Sequence, residues 1–279
     1  MFSLDGFITQ LLEYSHLKDH VMSFTSIRAL ESMFALIRKG IIAVLEYNES
    51  RPEYPLSEHQ IEQYMTKWVI SSAIWGIAGS LKLSGRYEFG EKIYEICDIE
   101  LPDPTGPPLI DYEVRVEDQQ WHLWKERVPR IDVVIEKVTK SDTVITTVDT
   151  IRHQEMLCSW LGQRCPFILC GPPGSGKTMT LMSTLNALTD CQMIFVNFSS
   201  TTSPELILRS FDQYCEYKKT TKNEVVVLRP KQSGKWLIVF CDEINLPDVD
   251  NYGTQKVISF LRQLTEQNGF YRPSDKSWV

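Results

Sequence analysis

Over residues 1–100 the apolar positions repeat with a helical period. Leu30, Met33, Phe34, Ile37, Ile41, Val44 and Leu45 recur three or four positions apart and predict one face of a helix. Arg51-Pro52-Glu53-Tyr54-Pro55 breaks that pattern. Ser57 followed by Gln60 has the form of a capping box, opening a second helix through Ile61, Tyr64, Met65, Trp68 and Val69. The most membrane-like run, Trp68 to Leu81, is short and interrupted by Ser71, Ser72, Gly76 and Gly79, so it predicts a core helix rather than a span. A further helix is expected through Tyr87, Phe89, Ile93 and Ile96. These stripes predict a packed helical unit with no chemistry of its own.

The pattern changes after the Pro-rich break Leu101–Pro108. Strand-like runs cover Ile110–Val116 and Ile131–Val138, with Trp121 and Trp124 between them. Val144-Ile145-Thr146-Thr147 then leads into a helix from about Thr150 to Leu161. Beyond it, apolar runs and helical stripes alternate. Pro166–Cys170 reads as a buried parallel strand and Lys177–Leu188 as a helix. Met193–Phe198 reads as a second strand. Ser203 can cap a helix with Pro204 in its first turn and Glu205 at its positive end, running to about Tyr217. A polar break at Lys218–Lys222 precedes a short strand, Val225–Leu228, of an inserted hairpin. Trp236–Cys241 is a third apolar strand, running into Asp242-Glu243. Val257, Ile258, Leu261 and Leu264 mark a helix that Asn268-Gly269 would stop, and Phe270–Val279 begins a hairpin. Alternating strands and helices argue an α/β fold with a parallel sheet. The expected division is an α-helical subdomain over 1–101, a β-rich linker over 102–148, and an α/β core over 149–279 that is incomplete at its end.

Gly171-Pro172-Pro173-Gly174-Ser175-Gly176-Lys177-Thr178 fits G-x-x-x-x-G-K-[ST], the phosphate-binding loop of P-loop NTPases. Its glycines let successive backbone N–H groups aim at a phosphate, and the following helix adds its positive end. Lys177 would reach the β- and γ-phosphates of ATP, and the Thr178 hydroxyl would sit on Mg²⁺. The acidic pair after the third strand is the Walker B pattern, expected on a strand beside the P-loop strand. Asp242 would hold Mg²⁺ and Glu243 would act as general base. Asn197 closes the strand expected beside the Walker B strand. It is read either as a side chain that holds Glu243 away from the attacking water, or as a turn asparagine.

The remaining chemistry narrows the picture by exclusion. With 29 Lys and Arg against 36 Asp and Glu, the net charge is −7, which argues against a nucleic-acid groove. The cysteines are Cys97, Cys158, Cys165, Cys170, Cys191, Cys215 and Cys241. No C-x-x-C pair and no His at zinc-ligand spacing accompanies them, and their odd count points to a reducing compartment. Cys170 and Cys241 lie in apolar runs and are expected to be core thiols. The N-terminus has no basic and apolar signal-peptide pattern, and no membrane partner is expected.

Beyond these motifs the chain resembles the dynein heavy-chain family, in its cytoplasmic branch. The resemblance rests on Gly171–Thr178 followed by Met179-Thr180, on Asn197-Phe198-Ser199-Ser200, Pro204-Glu205-Leu206 and Tyr214-Cys215-Glu216-Tyr217, and on Gly234-Lys235-Trp236. Phe240 to Pro247, Tyr252-Gly253-Thr254-Gln255 and Gly269-Phe270-Tyr271-Arg272 continue it, and Trp75-Gly76-Ile77-Ala78-Gly79 extends it to the helical unit. The intact Glu243 favours the cytoplasmic branch. What the resemblance implies is an AAA+ P-loop core, the start of a third ring module, preceded by the small helical subdomain closing the second. The implied cofactors are ATP and Mg²⁺. In AAA+ ATPases of this kind the segment leading into the core packs on adenine, making Val144, Ile145 and Thr147 candidate base contacts; ordinary strand packing is the alternative. Neighbouring AAA+ modules are the implied direct partners. Intermediate chains, light chains and microtubules would engage regions absent here, in a cytoplasmic, minus-end-directed motor. A sensor-1 strand and an arginine-bearing region are expected outside these residues, so the isolated chain is expected to be inactive. A purely structural or nucleotide-sensing role stands as the alternative function.

Overall fold

Two glycines decide how the helical part packs. A computed structural model describes residues 6–129, 146–188, 190–219, 226–272 and 274–279. In it, helix α2 (Ser26–Ser50) lies along α3 (Glu58–Ile77). A Cβ on Gly40 would lie 2.3 Å from the Trp68 indole ring, and one on Gly76 would lie 2.6 Å from the backbone of Met33. The two helices therefore approach to backbone contact, and the Trp68 Nε1–H donates to the Leu36 carbonyl at 2.7 Å. This approach rotates α2 from its expected orientation. Met33, Leu36, Gly40 and Val44 face the core, whereas Phe34, Ile41 and Leu45 stand exposed. The apolar stripe was broader than the buried face, and the small residues chose which edge went inside.

Ser57 and Gln60 form the expected capping box at the start of α3. Helices α1 (Phe7–His16) and α4 (Leu83–Ile96) complete the layer, burying Ile8, Leu11, Phe89 and Ile93 completely. No helix among the described residues is long and apolar enough to cross a membrane. The linker contributes a 3-10 turn at Leu109–Asp111 and an antiparallel pair, β1 (Tyr112–Val114) with β2 (Trp121–Leu123). Trp121 thus belongs to a strand rather than to a connection. The expected strand Ile131–Val138 lies outside the described residues. Helix α5 (Val148–Gly162) packs back on the bundle. Its Arg152, 4% exposed, donates to Asp111 at 2.7 Å and also pairs with Asp149. Arg152 and Arg86 both approach the Trp75 ring, at 5.8 and 5.5 Å. Arg127 bridges Glu113 of β1 and Glu155 of α5 at 2.9 and 3.1 Å, and Lys39 of α2 closes on Glu155 at 2.9 Å. Burial works against charge on Glu155, yet Lys39 and Arg127 hold its carboxyl below the usual range.

Tertiary contacts divide the chain into a unit over 1–181 and a unit over 182–279. In the second, β3 (Cys191–Asn197) pairs in parallel with β6 (Trp236–Asp242). Ile194 and Val196 point into a core with Ile207 and Phe211 of α7 (Pro204–Tyr214) and with Val257 and Phe260 of α8 (Lys256–Glu266). The alternate residues Phe195 and Asn197 are exposed, as strand geometry requires. Helix α7 ends at Tyr214, three residues earlier than expected, and Tyr217 belongs to strand β4 (Cys215–Lys219), paired antiparallel with β5 (Val226–Pro230). Lys231 donates to the carbonyls of Asp212 and Gln213 at 2.7 and 2.9 Å, ending the helix from a distance. Phe270 and Val279 exchange backbone hydrogen bonds at 3.0 Å, closing the expected terminal hairpin.

The expected strand at Pro166–Cys170 is not formed. These residues join no sheet among the described residues, Ile168 is 56% exposed and Cys170 is exposed. Apolarity favours burial, but a strand also needs a neighbour to receive its N–H and C=O groups, and none of the described residues pairs with this segment.

Replacing helical Gly by Ala ordinarily gains about 1 kcal/mol. Gly76→Ala should instead destabilise the chain by about 1–3 kcal/mol, because the new methyl meets unyielding backbone. Urea unfolding of the purified variant measures this, and a midpoint above that of the parent would contradict the close approach at Met33.

Candidate functional site

The phosphate loop belongs to the first unit and the acidic pair to the second. Gly174 and Gly176 have φ of +75° and +79°, left-handed values that strain any L side chain, although a Cβ at either would meet open space. Backbone conformation, not crowding, requires glycine there. Ser175 N–H donates to the Pro172 carbonyl at 3.3 Å, closing the turn. Helix α6 (Lys177–Asn186) starts at the loop's lysine, and its first bond runs from Thr180 N–H to the Gly176 carbonyl at 2.9 Å. The Lys177 ammonium donates to the Gly171 and Pro172 carbonyls at 2.9 and 2.8 Å. It therefore pins the loop's first residues to its helix. Gly171 through Gly176 and Thr178 are exposed and Lys177 is half-buried. An exposed, curled loop that opens a helix N-terminus fits an anionic phosphate ligand.

In the second unit, the parallel register pairs Asn197 of β3 with Asp242 of β6. Both lie at the C-terminal ends of their strands, where parallel sheets gather polar groups around a ligand. The strand ending at Asn197 is thus the neighbour of the Walker B strand, as expected, whereas the Pro166–Cys170 segment joins no ladder among the described residues. Phe198 N–H donates to the Asp242 carbonyl at 3.1 Å, extending the ladder one residue past the strand. Glu243 then turns the chain sharply, with φ of +54°. A non-glycine residue there costs about 1–3 kcal/mol and needs local support. Support comes from its own N–H, which donates to Asp242 Oδ1 at 3.0 Å, and its carbonyl, which accepts from Leu246 N–H at 3.0 Å. Glu243 is exposed and Asp242 half-buried, a hard-oxygen pair of the kind Mg²⁺ accepts.

Sequence reasoning missed the knot beside this pair. Ser199 N–H donates to Thr202 Oγ1 at 2.8 Å, and Asp248 N–H donates to the Ser200 carbonyl at 3.2 Å. The loops after β3 and β6 are thereby tied together. The run Ser199-Ser200-Thr201-Thr202 before Pro204 was the available signal. Of the candidate base contacts, Val144 and Ile145 lie outside the described residues. Thr147 is the N-cap of α5, its Oγ1 accepting from Thr150 N–H at 3.2 Å. A cleft of about 340 Å³ opens near it, around Thr146, Ile151, Glu155 and the Arg127 ion pair, and it includes no residue of the phosphate loop.

Comparison with known proteins decides the family. The family described as "P-loop containing dynein motor region" matches residues 133–279, and that described as "Dynein heavy chain AAA lid domain" matches residues 1–126. The chain belongs to the dynein heavy-chain family. Similar relatives include the cytoplasmic dynein heavy chains of Paramecium tetraurelia, 52% identical over 99% of this chain, and of Drosophila melanogaster, 49% identical over 100% of it. That of Dictyostelium discoideum is 48% identical over 100% of the chain. In each case the chain spans 6% of the relative's length. The dynein family match covers the phosphate loop, the acidic pair and Asn197 together, and the lid match covers the bundle built on Gly40 and Gly76.

The two expected core thiols differ in this dynein-family chain. Burial pushes the Cys241 thiol up to about 11, whereas Cys170 is exposed, against expectation, because its segment joins no sheet. Cys241 should react with maleimide roughly a hundredfold more slowly than an unperturbed thiol near pH 7.5, since the thiolate is the nucleophile. Cys170 should be among the first to react. Peptide mapping after timed labelling reads both, and equal rates would contradict the burial of β6.

Proposed function

We propose that this chain is an ATP-binding, ATP-hydrolysing module of a cytoplasmic dynein heavy chain, joining the small subdomain of the second AAA+ module to the core of the third. The observation that carries the reading is that one sequence matched to the dynein motor region holds both a left-handed glycine loop opening a helix and a Walker B strand ending at Asp242. Gly171 to Gly176 would wrap the phosphates with backbone N–H groups. Lys177 would leave its two loop carbonyls to bridge the β- and γ-phosphates, exchanging neutral acceptors for charged ones. Thr178 and Asp242 would hold Mg²⁺, which supplies charge neutralisation of the phosphates. Glu243 would accept the proton of the attacking water. Asn197, across the ladder from Asp242, would hold the Glu243 carboxylate out of reach until the module's neighbours engage. Val144, Ile145 and Thr147 would contact adenine, Thr147 through its methyl group because its hydroxyl caps α5.

In the intact motor, the nucleotide state of this module would regulate ATP-driven, minus-end-directed movement along microtubules. Neighbouring AAA+ modules would be its direct partners, with intermediate and light chains acting through other parts of the heavy chain. The location would be cytoplasmic and microtubule-associated.

Two substitutions in the heavy chain test the assignment. Lys177→Ala should abolish ATP occupancy at this site, read by labelled-nucleotide titration; unchanged occupancy would remove the phosphate loop from the account. Glu243→Gln keeps the shape of the side chain but takes no proton. ATP should still bind and stay trapped while turnover at this site falls about a hundredfold or more. Normal turnover would assign the base to another residue. Turnover that is absent in the parent as well would favour a nucleotide-sensing role without hydrolysis.

A further inference from the structure

We propose that Gln255 is a positioning residue for Glu243, holding through one peptide unit the backbone turn that aims the Glu243 carboxylate. The inference rests on the reading that Glu243 takes the proton of the attacking water. Glu243 is exposed, and among the described residues no hydrogen bond or ion pair restrains its carboxylate. The main chain beneath it therefore sets where it points. That main chain is strained, with φ of +54°, a left-handed value that a non-glycine residue keeps only where its surroundings hold it.

The turn is held from both sides. On the near side the ladder reaches Asp242, whose carbonyl accepts from Phe198 N–H at 3.1 Å. On the far side Leu246 N–H closes on the Glu243 carbonyl at 3.0 Å, and Pro247 follows, buried and with its φ fixed by the ring. The peptide unit joining Pro247 to Asp248 is then gripped at both ends. Its carbonyl accepts from Gln255 Nε2 at 2.6 Å, and its N–H donates to the Ser200 carbonyl at 3.2 Å.

Gln255 is itself anchored. It is the N-cap of α8, and its carbonyl accepts from Ser259 N–H at 3.0 Å. Val257 and Phe260 of that helix share a core with Ile194 and Val196 of β3. The Asp250 carboxylate accepts from the N–H groups of Tyr252 and Thr254 at 2.9 Å each, shaping the turn that brings the chain back from Pro247 to Gln255. The core that fixes β3 thus also fixes the far end of the Glu243 turn, through a single side-chain amide. Ser200 and Asp248 contribute backbone atoms, whereas the Gln255 bond comes from a side chain and can be removed by substitution. A reacting group misplaced by about 1 Å can lose about a hundredfold in rate.

The test is Gln255→Met in the heavy chain, which keeps an unbranched side chain of similar length but no donor. ATP occupancy at this site, read by labelled-nucleotide titration, should match that of the parent, while turnover of the bound nucleotide should fall about tenfold or more. In a heavy chain that already carries Glu243→Gln, adding Gln255→Met should lower turnover no further, because no base is left to aim. Turnover in Gln255→Met equal to that of the parent overturns the proposal. So does loss of ATP occupancy, which would give Gln255 a part in the fold alone. An effect of Gln255→Met that persists at full size beside Glu243→Gln also overturns it, since Gln255 would then act through another group. Normal turnover in Glu243→Gln sinks the functional reading and this inference with it. ATP trapped by Glu243→Gln, with Gln255→Met turning over like the parent, sinks this inference alone.

Discussion

The parallel ladder between β3 and β6 fixes what the second unit can present. Seven residue pairs, from Cys191↔Trp236 to Asn197↔Asp242, lock the register. A slip of one residue would turn Ile194 and Val196 out of the core and carry Asp242 past Asn197. The same ladder that buries the apolar side chains against α7 and α8 therefore sets which polar side chains meet at the strand ends. Phe198 N–H extends it by one bond, and the left-handed turn at Glu243 comes immediately afterwards. Strain at Glu243 persists because register and turn both over-determine it.

The first unit solves a different problem, joining a helical bundle to the segment that leads into the phosphate loop. Its charged groups do this around two carboxylates, the buried Glu113 and the half-buried Glu155. Glu155 serves Lys39 and Arg127, and Glu113 serves Arg115 and Arg127. Arg127 is thus shared by two carboxylates on different elements while its guanidinium lies 5.4 Å from the Trp124 ring. Such pairs add little net stability compared with apolar packing, but removing one member leaves an unpaired charge and is costly.

Much of this was legible because the signals were local. A capping box needs only Ser57 and Gln60, a phosphate loop only eight adjacent residues, and the strand-end pairing of Asn197 with Asp242 follows once two apolar runs are aligned. What misled was every feature set by a distant partner. The buried edge of α2 was chosen by Gly76 and Trp68 on another helix. The end of α7 was set by Lys231, beyond the hairpin, and Tyr217 kept the helical period while lying in a strand. Pro166–Cys170 is apolar enough for a strand but has no ladder, and Cys170 was misjudged for the same reason. Apolar patterning reports which residues prefer burial; hydrogen-bond partners decide whether they achieve it as a strand.

The position of Lys177 shows why the phosphate loop can be both ordered and exposed. An ammonium beside two carbonyls satisfies the loop's first acceptors, and the left-handed glycines let the chain curl around it. The loop thus carries its own cation as an internal support. A phosphate ligand offers Lys177 charged oxygens in place of neutral ones, and charge-assisted bonds are about twice as strong as neutral pairs. The gain from binding is the difference between the two sets of bonds, not the whole of the second. On the proposed function, a loop supported in this way is shaped before its ligand arrives, and its affinity would depend on how readily the lysine exchanges partners.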